Sequence, residues 1–240
     1  MTEKREFRRV LLKISGEALM GDGQYGIDVG TVDRIATEIS QARQSGVEIC
    51  LVIGGGNIFR GLSGAAGGMD RSSADYMGML ATVMNGLALN DFLRRRGIVS
   101  QLFSAVPMPG MVEGYNRDTA KAAMQNGEVV ILTGGTGNPF FTTDTAACLR
   151  AVELGVDAIL KATNVDGVYS SDPKKDASAL RFEHITYNEV LERELAVMDL
   201  TAIVLCKEND LPLVVFDSSE SRSLTRIAAG DHVGTRVGAT

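Results

Sequence analysis

The stretch TGGTGNPFFTTDTAACLR, residues Thr133 to Arg150, decides how this chain folds. The run before it, Val129-Val130-Ile131-Leu132, is short, mostly β-branched and bounded by turn residues, the pattern of a buried strand. Gly134, Gly135 and Gly137 follow, then an Asn-Pro pair, two phenylalanines and Thr142-Thr143-Asp144. Ala146, Ala147, Leu149, Val152 and Leu154 recur at helical spacing, and Gly155 can close the helix. The order is strand, glycine-rich loop, hydroxyl-rich helix start. Such a loop lets backbone N–H groups approach an anion, and the helix start adds positive potential. Alone, the stretch also reads as a loop with an ordinary Thr/Asp helix cap. Recurrence favours the anion site, because glycines also follow the apolar runs ending near Ser15 and Ile53.

Working outward, Arg9 to Ser15 reads as the first strand, with Lys13 interrupting an apolar run and Gly16-Glu17 behind it. Gly21, Gly23 and Gly26 mark a turned loop, and Asp28 precedes a helix with Val29, Val32, Ile35, Ala36 and Ile39 on one face, closed by Gly46. Val47 to Ile53 is a nearly all-apolar strand, as strands covered on both faces are, and runs into Gly54-Gly55-Gly56-Asn57. Gly61 to Asp70 reads as a mobile loop. Ser72 to Arg96 is a long helix with apolar groups around most of its circumference, so it is either deeply buried or shared with a partner subunit. Ile98 to Ala105 is a strand, and Asn116 to Gln125 a short helix ended by Gly127.

Beyond the opening stretch, Asp157 to Ala162 is another strand with a lysine, Lys161, near its end. Thr163 to Pro173 is a loop or hairpin, followed by a polar, exposed stretch. Thr186 and Glu189 fit a capping box, Met198 to Ala202 opens a helix, Leu213 to Phe216 is a late strand, and Ser221 to Ala229 a last helix. Strands alternate with helices throughout, which predicts an α/β three-layer αβα sandwich with a mostly parallel central sheet. One domain covering residues 1–240 is expected, with residues 1–8 as a flexible tail.

Composition narrows the function. Hydrophobic content of 45% and charged content of 22% are those of a globular protein. A formal net charge of −6, with Arg94-Arg95-Arg96 as the longest basic run, argues against nucleic-acid and membrane-surface roles. Cys50, Cys148 and Cys206 are scattered through apolar segments and read as buried thiols in a reducing compartment. Only His184 and His232 are present, so a histidine-rich metal site is not expected. The N-terminus lacks the apolar core of a signal peptide, and no apolar run is long enough to cross a bilayer; a cytoplasmic location is the expectation.

In such a sheet, ligands bind outside the carboxyl ends of the strands. The glycine segments at Gly16, Gly54–Gly56 and Gly134–Gly137 all follow strands, and Lys13 and Lys161 sit near strand ends. Backbone nests with two ammonium groups suit a multiply charged phosphate ligand. The chain has no GxxxxGK[ST] run, so it is not a P-loop protein, and its GGG run is not the GxGxxG of dinucleotide-binding folds.

LLKISGE (Leu11–Glu17), GGGNIFRG (Gly54–Gly61), DYMGMLATVMNGLA (Asp75–Ala88), TGNPFFTTD (Thr136–Asp144), KATNVDGVYSSDP (Lys161–Pro173) and MDLTA (Met198–Ala202) together resemble the bacterial UMP kinases, a branch of the amino-acid-kinase fold family. The resemblance runs from about Arg9 to the C-terminus. It implies phosphorylation of UMP to UDP by ATP with Mg²⁺, in pyrimidine nucleotide synthesis. Lys13, Ile14, Ser15 and Gly16 would hold ATP phosphates, with Gly56 and Arg60; Thr163, Tyr169 and Asp172 would line the ATP nucleoside site. Gly55 would lie against UMP, Asp75 would bind its ribose, and Thr136, Gly137, Asn138, Pro139, Phe140, Phe141, Thr142 and Thr143 would wrap it. Lys13, Lys161 and Arg60 would carry the catalytic charge, with Asp144 and Asp199 orienting the lysines. Mg²⁺ would be held by nucleotide phosphates rather than by a protein ligand set. Gly21, Asp22, Gly23, Gln24, Tyr25 and Gly26 correspond to the family's GTP-activation region, and the resemblance also implies a homohexamer inhibited by UTP. Asn164 stands where some members carry lysine.

Other readings are a kinase of the same fold acting on a carboxylate, carbamate or isopentenyl phosphate, a non-catalytic nucleotide sensor, and a metal-oxide storage protein. TGNPFFTTD argues against the first, and Lys13, Lys161 and Asp144 against the other two.

Overall fold

The first strand, β1 (Arg9–Ile14), is buried at every residue, because it lies in the middle of the sheet with helices on both faces. We describe residues 6–61, 67–173, 175–176, 178–220 and 222–238 of a computed structural model. Half of the expected mobile loop (62–66), Ser221 at the start of the last expected helix, and parts of the expected tail and polar stretch lie outside the described residues.

After β1 come a 3-10 turn (Gly16–Leu19), α1 (Val29–Gln44), β2 (Glu48–Ile53), α2 (Arg71–Arg95), β3 (Ser100–Ser104), β4 (Glu113–Gly114), α3 (Arg117–Gln125), β5 (Val129–Thr133) and α4 (Thr143–Leu154). Then follow β6 (Ala158–Thr163), β7 (His184–Thr186), α5 (Tyr187–Glu192), α6 (Leu200–Glu208), β8 (Leu213–Asp217), α7 (Ser223–Ala229) and β9 (Thr235–Gly238). The described strands form one sheet, ordered β4-β3-β5-β2-β1-β6-β8-β9-β7. All pairings are parallel except β8 with β9.

The two-residue period of the strands divides the core in two. Leu11, Cys50, Val52, Val130, Leu132 and Ile159 pack under α3, α4 and α6; Val10, Leu12, Ile49, Leu51, Ile131 and Leu160 pack under α1, α2 and α7. The expected three-layer α/β architecture is therefore present. Helix starts follow the capping residues: Asp28 accepts from Thr31 N at 2.7 Å, Asn116 accepts from Asp118 N and Thr119 N, and Thr186 with Glu189 forms a full capping box. Gly155 ends α4 in the left-handed conformation, φ 62°.

The last two strands at one end of the sheet, β9 and the edge strand β7, were not legible. Each is short and buries one apolar residue, Ile185 or Val237, and neither carries a sequence period. The three cysteines are buried and free, and the Cys148 and Cys206 sulfurs lie 3.0 Å apart between α4 and α6. Among the described residues no helix is long and apolar enough to cross a membrane.

Candidate active site

β1 and β6 pair in a register that sets Lys13 opposite Lys161. Leu11 and Ile159, two positions earlier, face the core under α4, so the strand period aims both lysines at that face. Asp144 meets them from the first turn of α4. Its Oδ1 lies 2.6 Å from Lys13 Nζ, an ion pair without aligned hydrogen-bond geometry, and its Oδ2 accepts from Lys161 Nζ at 2.9 Å. Lys161 also donates to the Val197 carbonyl. Lys13 is only 7% exposed. Two ammonium groups against one carboxylate leave a net positive charge at a nearly buried point, which is the local field a polyanion needs.

Burial pushes the Asp144 carboxyl up, but the charges of Lys13 and Lys161 outweigh it and hold it below the ordinary 3.8. Burial lowers the Lys161 ammonium below 10.5; Asp144 opposes the shift and the Lys13 charge adds to it.

Asp199 makes no ion pair with either lysine; its charge raises the Lys161 pKa less than that of Asp144 does, and its oxygens are taken up elsewhere. Its carboxylate caps α6 at Ala202 N (2.9 Å) and accepts from Thr145 N (3.1 Å), the Thr145 hydroxyl (2.9 Å) and the Thr142 hydroxyl. Asp199 therefore fixes the start of α4, and through it Asp144. Thr142 adds its own cap, accepting from Asp144 N and Thr145 N.

Around this triad the glycine loops close in. A Cβ on Gly16 would lie 2.6 Å from Gly56 N and 2.8 Å from Gly54 O, so glycine is what lets the loops after β1 and β2 meet. Ile14 is buried and offers the site only its backbone; Ser15 follows at the start of the 3-10 turn. Arg60 stands beside this nest, its Nε 3.5 Å from Gly56 O and its guanidinium paired with Glu17.

A buried amide pair supports the nest from below. Asn85 Nδ2 donates to Gly54 O (2.7 Å) and to Asn57 Oδ1 (2.7 Å), while Asn57 Nδ2 donates to Asn85 Oδ1 (3.0 Å) and to Gly26 O (2.8 Å). The Gly21–Gly26 loop is thus fastened to the nest, and Gly26 N donates back to Asn57 O at 2.8 Å. On the far side, Gly134 at φ 74° donates its N–H to the Thr82 hydroxyl at 2.7 Å.

The loop from Thr136 to Thr143 curls next to α2. Thr136 and Asn138 hydrogen-bond to each other in a tight turn past Gly137, Phe140 and Phe141 are exposed after Pro139, and Phe140 N donates to Asp75 Oδ2 at 2.8 Å. Gly55 packs its Cα against Gly78 and Ala81 of α2. Thr163 ends β6 and turns the chain through Val165; Tyr169, hydrogen-bonded to Asp166 at 2.6 Å, and Asp172 lie on the loop beyond.

The residues that sequence reading left without a role are Thr82, Asn85, Thr145 and Arg71. Thr82 and Asn85 carried a usable signal: both are polar residues inside an otherwise apolar helix, where each needs a partner.

Known proteins resemble this chain over nearly its whole length. A uridylate kinase of Paramagnetospirillum magneticum (strain ATCC 700264 / AMB-1) is 56% identical over 230 residues, covering 96% of this chain and 96% of the relative. A uridylate kinase of Legionella pneumophila (strain Corby) is 54% identical over 98% of this chain and 96% of its own length. The crystal structure of UMP kinase from Bacillus anthracis superposes with a TM-score of 0.94 at 39% identity, covering 97% of this chain and 96% of that one. The model of the amino acid kinase family matches residues 8–217, a span that includes both lysines, Asp144, Asp199 and all the glycine loops described above. The chain belongs to the amino acid kinase family.

Proposed function

We propose that this chain is a UMP kinase, moving the terminal phosphoryl group of ATP onto UMP to give UDP. The observation that carries the reading is the Lys13–Asp144–Lys161 cluster set where the glycine loops converge. The attacking group is an oxygen of the UMP phosphate, whose second pKa is about 6, so it is ionised at neutral pH and needs no general base. What remains is to hold two polyanions in line and neutralise the charge that spreads over the transferring group. Lys13 and Lys161 supply that charge at the core of the site. The Gly16 and Gly54–Gly56 backbone with Arg60 would hold the ATP phosphates, and Thr163, Tyr169 and Asp172 the ATP nucleoside. Gly55, Asp75 and the Thr136–Thr143 loop would hold UMP, its phosphate over the start of α4.

The donor set fits a magnesium ion carried by the nucleotide. Both oxygens of Asp144 face lysines and those of Asp199 face Thr142, Thr145 and Ala202. Neither carboxylate is placed to ligate a metal, so the ion would be held through phosphates and water, where it neutralises phosphate charge. Activation by GTP through Gly21–Gly26 and inhibition by UTP belong to the same proposal; the fastening of Gly26 to Asn57 supports a link from that loop to the nest.

An ADP-release assay with UMP, CMP and small carboxylates, run with and without GTP and UTP, tests the reading. Turnover confined to UMP is expected, raised by GTP and lowered by UTP. Turnover of a carboxylate, or of none of them, would overturn it.

If Asp75 accepts a hydrogen bond from the UMP ribose, dUMP removes that bond. Efficiency with dUMP should then fall about ten- to a hundredfold, or roughly 1–3 kcal/mol. Equal kcat/KM for the two would move Asp75 off the ribose.

α2 buries Met79, Val83, Leu89 and Leu93, yet leaves Met77, Leu80, Met84 and Leu87 on the outside. Their spacing makes one apolar stripe along the helix. We therefore expect a homo-oligomer, a hexamer, built partly on this stripe. Sedimentation of a stable monomer at micromolar concentration would rule that out, and Leu80→Lys with Met84→Lys should shift the assembly toward smaller species.

A further inference from the structure

We infer that Arg71 is a positioning residue for the acceptor: acting through Asp75, it holds Phe140 in a left-handed backbone conformation and so fixes the wall of the acceptor pocket. The inference rests on the reading of the Thr136–Thr143 loop as the acceptor site.

Phe140 has φ 74°. A bulky side chain rarely adopts that region, and such residues persist where their surroundings over-determine them. The surroundings here are specific. The Phe140 N–H donates to Asp75 Oδ2 at 2.8 Å, a contact between residues 65 apart in the chain. Arg71, one helical turn before Asp75 on α2, donates its Nε to the same oxygen at 2.8 Å. Its guanidinium also lies 5.4 Å from the centre of the Phe140 ring. Arg71 thus touches both ends of the contact, the carboxylate that receives the Phe140 amide and the ring that the amide orients.

The carboxylate is closely confined. The Asp75 side chain is 12% exposed, and a Cβ on Gly61 would lie 2.3 Å from its Oδ1. Without Arg71 the carboxylate would bring an unneutralised negative charge to a pocket meant for an anionic ligand. An ordinary i,i+4 pair on a helix surface would add only slightly to stability and would not touch a loop from elsewhere in the chain. The contact with Phe140 is what sets Arg71 apart from such a pair.

The test uses the full-length protein with Arg71→Gln and Arg71→Lys. Hydrogen exchange of the peptide spanning Gly135 to Thr142 is followed by mass spectrometry without ligand. Initial rates are then taken across UMP and ATP concentrations. Arg71→Gln should raise exchange in that peptide about tenfold and leave α1 unchanged, because only a local opening is promoted. The KM for UMP should rise about tenfold, with kcat and the KM for ATP within about twofold, since the lost contact positions the acceptor alone. Arg71→Lys, which keeps the charge beside Asp75, should recover most of both effects.

A purely structural arginine would lower the thermal midpoint and move both KM values together, and that result overturns the inference. Unchanged loop exchange in Arg71→Gln overturns it too, as does faster exchange with an unmoved UMP KM. As a second probe, Phe140→Gly removes the need to hold a strained residue, so adding Arg71→Gln to it should speed exchange far less than in the parent. If the parent enzyme does not phosphorylate UMP, the proposed function fails, and the exchange measurements still decide whether Arg71 holds the loop.

Discussion

Replacing Lys13 with methionine should cut kcat by about 10²–10³, equivalent to about 3–4 kcal/mol of transition-state stabilisation. Lys13 is one of the two ammonium groups that meet at Asp144, and it projects from a central strand whose position is fixed on both sides. Without it, Asp144 and Lys161 remain as a simple ion pair, and the local excess of positive charge is gone. Methionine keeps most of the stem volume, and the remaining pair satisfies Asp144, so the fold should persist. The KM for UMP should change much less than kcat, because in the proposed function the Thr136–Thr143 loop, and not Lys13, holds the acceptor. Lys161→Met should act similarly, and the double variant should lose less than the product of the singles if both lysines act on one charge. Initial rates, with circular dichroism as the folding control, decide the point. A folded Lys13→Met enzyme with near-normal kcat would make the lysine structural and leave neutralisation to Arg60, magnesium and the backbone.

Asp144→Asn should produce the largest loss of stability of any single change at the site. It leaves two nearly buried ammonium groups side by side without their shared anion, and breaking a buried ion pair on one side costs about 3–5 kcal/mol. For a chain of this size that is a fall in Tm of about 6–20 °C. ATP should restore part of it, since its phosphates replace the missing negative charge and ligand binding adds to folding stability.

The pH dependence has a definite sign. The folded Asp144 carboxyl titrates below 3.8, so its contribution is complete above that value and is lost as pH falls through the folded pKa. Asp144→Asn should lack this acid limb. Lys161 is depressed below 10.5, so the cost of burying its charge is full at pH values under the folded pKa and is relieved as pH rises toward 10.5. With the carboxylate gone the depression deepens, so the variant should close part of the gap to the parent between pH 7 and 10. Urea midpoints from pH 3 to 10 test both limbs. A variant as stable as the parent at pH 7 would show that the triad is not the anchor proposed.

The layers of this fold were legible because they follow local rules. β1, β2, β5 and β6 are mostly apolar runs, and the helices between them begin at capping residues and mostly end near glycines. Lys13 and Lys161 were legible for the opposite reason, as charges out of place in buried strands. What escaped reading depends on contacts across the chain. The role of Asp199 could not be separated from that of Asp144, since only the packing of α6 against α4 sends one carboxylate to threonines and the other to lysines. Thr82 meeting Gly134 and Asp75 meeting Phe140 join segments with no shared local pattern. β9 becomes a strand because β8 is there to receive it.

The sheet order also constrains how the chain can reach this state. β1 is the first strand made and a central one in the sheet, yet its second neighbour, β6, comes from the other half of the chain. As synthesis proceeds from the N-terminus, β1 can pair with β2, and β2 with β5, while the other edge of β1 is still open. That edge belongs to a strand buried at every residue and apolar at four of its six positions, a kind prone to pair with a foreign chain. Closing it requires one of the longest-range contacts in the molecule, which makes for slow folding. The same event brings Lys161 beside Lys13. The nascent chain therefore covers that edge of β1 and brings its two strand lysines together in a single step.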